Sequence, residues 1–132
     1  MDSRKDVAAL VGRVLLAVMF VWAGWGKING YEGTAGFMAS AGMPMVGVLL
    51  PLTILVELGG GIALIVGWKA RWVALALAAF TLIATITFHR FWDMKPEAVM
   101  ANTLFFYKNV AVIGGMLMVF AFGPGRFSVD RG

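Results

Sequence analysis

This sequence predicts an all-α integral membrane four-helix bundle with both termini in the cytoplasm. Three observations lead there. Four apolar runs each approach the ~20 residues that a helix needs to cross a bilayer. Charged residues make up 14% of the chain against 61% hydrophobic, where a soluble chain averages about 25% charged. The alternation of polar and apolar residues that marks a membrane barrel is absent. Too few charges remain to coat a water-facing surface. Lipid is therefore the expected solvent for residues 1–132, read as one four-span domain.

Span one covers about 7–26. It follows Arg4 and Lys5 as a signal peptide would. However, Arg13 interrupts its core and no A-x-A-like site precedes Lys27, so it reads as an uncleaved span. In the link that follows, residues 37–41 fit a short interfacial helix. Span two covers about 46–66 and contains Pro51. Either Pro51 kinks the helix or the true start lies near Leu50. The turn at residues 67–71 is tight, so spans two and three form a hairpin. Span three, about 72–88, suffices if nearly upright. Span four covers about 104–122, and Pro96 suits a first helical turn, so its helix is expected to begin early. Arg4, Lys5, Lys69, Arg71, Arg126 and Arg131 share one side, against Lys27, Arg90 and Lys95 on the other. That bias puts both termini inside.

Composition also excludes chemistry. The net charge is +4, but the basic residues come in ones and twos between apolar runs, which speaks for a membrane bias rather than nucleic acid. The chain has no cysteine and one histidine, His89. Iron–sulfur ligation and paired-histidine clamping of a metal or haem are thereby removed. Met94 and Met100 near His89 are too unspecific to mark a copper site, and no metal site is expected.

Each span carries one small-and-polar stripe at helical spacing, and in lipid such faces turn inward. The stripes are Arg13, Ala17, Phe20, Gly24 and Lys27; Thr53, Glu57, Gly60 and Leu64; Ala74, Ala78, Thr81, Thr85 and His89; and Lys108, Val112, Gly115 and Val119. Thr81, Thr85, Gly60 and Gly115 are expected to face protein. Val73, Leu77 and Met118 are expected to face lipid or a partner subunit. Glu57 lies near mid-membrane, where a bare acidic side chain costs about 2.5–3.5 kcal/mol. It must be paired, hydrogen-bonded, protonated or wet. Arg13 is the expected partner, forming an intramembrane pair that fixes helix register. At the outer end Lys27, His89, Lys108 and Asn109 converge. With Thr53, Glu57 and Thr85 they form a candidate site for a quinone carbonyl, a small oxyanion or a lipid phosphate. The plainer readings are Lys27 reaching to the interface and His89 as an interfacial polar residue.

These residues, in this order, resemble the DoxX family of small four-helix bacterial membrane proteins. The matching motifs are Arg13 followed by F-V-W-A-G-W-G-K to Lys27, V-E-L-G-G-G-I-A-L-I-V-G from Val56, and His89. Y-K-N-V-A-V-I-G-G from Tyr107 and the tail G-P-G-R-F-S-V-D from Gly123 to Asp130 complete the set. The resemblance implies a multi-pass protein of the bacterial inner (cytoplasmic) membrane. Some relatives look like membrane subunits of quinone-linked thiosulfate oxidoreductases, others like anchors for oxidative-stress or sulfur-transfer complexes. Arg13, Lys27, Glu57, His89, Lys108 and Asn109 fall where the family keeps polar residues.

The expected function is an accessory or quinone-binding subunit of a membrane oxidoreductase or oxidative-stress complex, not a stand-alone enzyme. It would have no intrinsic cofactor, a quinone as ligand, and a redox protein or further copies of itself as partners. The alternatives are an oligomeric small-solute or proton-coupled transporter and a non-catalytic membrane scaffold. A reporter fused after Gly132 is expected to be cytoplasmic, and one inserted near Glu97 extracytoplasmic. The reverse pattern would contradict the charge argument.

Overall fold

In lipid every backbone N–H and C=O needs an internal partner, so apolar runs of this length fold as helices. A computed structural model describes residues 3–130. Among them there is no strand, and four helices are long and apolar enough to cross a membrane. Helix α1 is Ser3–Asn29, and the short α2, Tyr31–Ser40, lies in the first link. Span two consists of α3 (Val46–Ile54), a π-helical turn (Leu55–Gly59) and α4 (Gly60–Val66). Span three is α5, Ala70–Phe88, and a 3-10 turn at Phe91–Asp93 leads to α6, Pro96–Phe122.

Pro51 stands inside α3, which begins at Val46. The missing proline N–H removes one ladder bond, and the π turn follows within a few residues. Such turns are sites of local widening in otherwise regular helices.

The buried line of α1 is Asp6, Arg13, Ala17, Phe20 and Gly24. It packs against the π turn and α4, while α5 packs most extensively along α6. A Cβ on Gly61 would lie 2.7 Å from Val21 Cγ2 and 3.2 Å from the Ala17 carbonyl oxygen. Only glycine lets these two backbones come so close. Further along the same seam, Gly24 abuts Leu58.

Two inward faces differ from expectation. Leu77, expected toward lipid, is 1% exposed because it fills the space above the bare Cα of Gly60. Val73 is likewise half-buried against the core, whereas Met118 is exposed. On α6 the buried positions are Asn109 and Met116, one residue round from Lys108, which is exposed.

The segment after α6 folds back across the end of the bundle that carries the described termini. Val129 N–H donates to the Val66 carbonyl (2.9 Å) and Asp130 N–H to that of Gly67 (3.2 Å). Gly67 has φ +79°, and a Cβ there would overlap Ser128. Lys69 holds a left-handed φ of 48°, and its N–H donates to the Asp130 carboxylate. The motif S-V-D therefore closes the turn that starts span three.

Gly61→Leu should cost ~1–3 kcal/mol, the range for overpacking a close contact. Gly114→Ala, where a Cβ meets nothing within 4 Å, should melt like wild type. Thermal melts in detergent check both, and equal melting of Gly61→Leu and wild type would contradict the seam.

Candidate functional site

Side chains on a helix lean toward its N-terminus. On α1 that direction decides where both charges go. Lys27, in the last turn, leans back into the span. Its Nζ lies 2.8 Å from Glu57 Oε1, with side chains 26% and 8% exposed respectively. Glu57 is carried by the π turn. Lys27 does not reach out to the interface, because a buried carboxylate stands below it.

The expected Arg13–Glu57 pair does not form. Arg13 sits level with Ile65, two helical turns beyond Glu57, or ~12 Å along the axis at 1.5 Å per residue. Its side chain shares the lean of Lys27 toward the helix N-terminus, which carries it away from Glu57. Arg13 is 1% exposed. Its Nη2 donates to the carbonyls of Ile65 (3.2 Å) and Phe127 (2.7 Å), and its Nη1 donates to that of Pro124. Arg13 therefore belongs to the tail and not to the candidate site.

The remaining polar residues divide into two layers. Thr53 Oγ1 donates to the Leu49 carbonyl (2.9 Å), so its hydroxyl proton is spent on its own helix. Thr85 Oγ1 donates to the Thr81 carbonyl (2.6 Å) and accepts from Asn109 Nδ2 (3.0 Å), tying α5 to α6 out of sight of solvent. His89 ends α5, and its Nδ1 lies 2.8 Å from Asn102 Oδ1. The Asn102 amide nitrogen already donates to the Ala98 carbonyl (2.9 Å). That leaves Oδ1 as acceptor and puts the ring proton on Nδ1. Lys108 Nζ rests 5.7 Å from the centre of the Phe105 ring.

A cleft of about 530 Å³ collects these groups. Lys27, Thr53, Glu57, His89, Lys108 and Asn109 all line it, and Thr85 stands one layer behind Asn109. Phe20, Phe37, Met38, Phe80 and Phe88 supply apolar wall. Helix α2 covers the cleft, with Phe37 stacked on Phe88 at 5.5 Å. Asn102 and the α2 side chains were not legible as site residues. Asn102 lies off every inward stripe, and the one charged residue of α2, Glu32, stands in its first turn away from the cleft lining. Among the described residues no cluster of His, Asp and Glu is placed to hold a metal ion.

The family model for DoxX matches residues 8–90. The chain belongs to the DoxX family. It is 44% identical to Escherichia coli inner membrane protein YqjF, covering 99% of this chain and 95% of that one. It is 32% identical to inner membrane protein YphA of the same organism, covering 98% and 92%. A more distant similarity, at 27% identity, is to the Surfeit locus protein 4 homolog of Schizosaccharomyces pombe, covering 98% of this chain and 38% of that protein. No solved structure matches. With its four membrane-length helices, this DoxX protein is a multi-pass inner-membrane protein. The family match ends just past His89, so Arg13, Lys27 and Glu57 lie within it, and Lys108, Asn109 and the tail lie beyond.

A double-mutant cycle separates the two charges of α1. Lys27→Met and Glu57→Gln should each lose stability, by up to ~3–5 kcal/mol where the partner is left charged and buried. The Lys27→Met/Glu57→Gln double mutant should recover part of that loss. Arg13→Gln combined with Glu57→Gln should be additive within about 0.5 kcal/mol. Unfolding in mixed micelles measures both cycles, and coupling between Arg13 and Glu57 would contradict the geometry.

Proposed function

We propose that this DoxX protein is a quinone-binding accessory subunit that serves a separate redox partner in the inner membrane. The observation that carries the reading is the cleft. Its volume of about 530 Å³ falls within the ~300–1,000 Å³ of small-molecule sites, which are mostly apolar with a few placed polar groups. A quinone needs an apolar slot and donors at its carbonyls. Lys27 Nζ keeps N–H groups beyond the one aimed at Glu57, and Lys108 Nζ is a second donor at the rim. Glu57 holds the Lys27 ammonium in position rather than leaving it to the interface.

The accessory role follows from the residue inventory. The chain has no cysteine and a single histidine, so electrons to or from a bound quinone must pass through another protein. When bound, the quinone supplies the two-electron chemistry. This chain's residues supply the slot, the donors and the exclusion of water by α2.

Titration of detergent-solubilised protein with short-chain ubiquinone and menaquinone analogues, by calorimetry, tests the reading. Saturable binding near one ligand per chain is expected. In Lys27→Met/Glu57→Gln it should weaken at least about tenfold, the equivalent of one lost interaction of ~1.4 kcal/mol. Absence of saturable binding, together with absence of any co-purifying oxidoreductase, would overturn it.

A further inference from the structure

Helix α5 packs along α4 and α6, whereas α3 and the π turn make no comparable contact with it. Spans two and three are pinned together at the Gly67–Lys69 turn and diverge toward the other end, beyond the π turn and Pro51. The gap they leave is one wall of the cleft. Leu52 on α3 and Ile83 on α5 both line the cleft, yet they are 50% and 66% exposed. A residue that borders a cavity and the outer surface at once marks an opening. Both positions lie ~8–9 Å inside the ends of their helices at 1.5 Å per residue. That depth is within hydrocarbon, below the headgroups. The opening therefore faces acyl chains and not water.

We propose that the cleft takes a membrane-dissolved, single-tailed amphiphile sideways from the bilayer, through the gap between spans two and three. The headgroup lies against Lys27 and Glu57, and the tail passes out between Leu52 and Ile83. This rests on the quinone reading of the same cleft and adds the ligand's tail and its route. The polarity of the walls sets the direction. Lys27 on α1, Glu57 on the π turn and Asn109 on α6 are the polar groups of the wall, whereas Leu52 and Ile83 are aliphatic and the Thr53 and Thr87 hydroxyls are bonded within their own helices. Helix α2 closes the top through the Phe37–Phe88 stack, so the lateral path needs no movement of that stack.

The test compares a tailless benzoquinone with its decyl-tailed analogue on full-length protein in nanodiscs. Leu52→Trp and Ile83→Trp put bulk in the gap without touching the donors. Each should weaken the tailed quinone about tenfold or more and leave the tailless one within twofold. Leu55→Trp, at an exposed position outside the cleft, should change neither. Equal effects on both probes, or none on either, in variants that keep the wild-type melting temperature would overturn the lateral route while the cleft reading stands. Failure of wild-type protein to bind either probe would overturn both. Should the tryptophan variants melt early, Leu52→Ala and Ile83→Ala take their place. A widened gap should speed release of tailed quinone to acceptor vesicles severalfold, and unchanged release would overturn the route.

Discussion

The Arg13 guanidinium is the point on which the arrangement of this protein turns. It is buried inside the bundle and donates to three backbone carbonyls, one at the end of α4 and two in the segment after α6. An arginine at the centre of a membrane helix costs about 2.5–3.5 kcal/mol on insertion scales. Hydrogen bonds from a charged donor contribute about 1.5–3 kcal/mol each, so three of them offset that cost. One side chain thus binds α1, span two and the tail at a single place. The tail, once held, delivers Asp130 to the Lys69 N–H and seats Ser128 over Gly67. It also brings Arg126 N–H to the buried Asp6 carboxylate, at 3.3 Å.

A firmly closed end permits an open one. The helices are tied near Arg13 by carbonyls and close glycine contacts, and they separate toward α2, where the cleft lies. Lys27 and Glu57 neutralise each other on the cleft wall at the level where α1 and span two still touch. The same lean of side chains along α1 sends one cation into the lock and the other into the cleft. Arg13 and the Lys27–Glu57 pair therefore lie at different levels, Glu57 about two helical turns from the level of Arg13, and a change at one end need not disturb the other.

Much of this was legible in the residues. The inward line of α1 appears in the sequence as Arg13, Ala17, Phe20, Gly24 and Lys27, because charge and small size have only one place to go in lipid. The same logic found Glu57, Thr85 and His89. It mispaired Arg13, since depth counted along separate spans ignores the lean of the side chains and the register between helices. It misjudged Leu77, since hydropathy does not distinguish lipid from the hollow over Gly60. The tail motif was readable as a family mark but not as a lock. Carbonyl oxygens leave no trace in a sequence, and here they are the partners of the buried charge. On α6 the stripe failed only at Lys108: Val112, Gly115 and Val119 pack inward, but of the two adjacent polar residues it is Asn109, bonded to Thr85, that turns in.

Hydrogen exchange of the tail amides tests this account most directly. Val129 and Asp130 N–H, bonded to the Val66 and Gly67 carbonyls, should exchange slowly in wild-type protein. In Arg13→Gln they should exchange roughly 10–100-fold faster, as expected for the loss of ~1.5–3 kcal/mol of charged hydrogen bonding. In Glu57→Gln their protection should be unchanged. Protected tail amides in Arg13→Gln, or protection lost in Glu57→Gln, would contradict the assignment of Arg13 to the lock and Glu57 to the cleft.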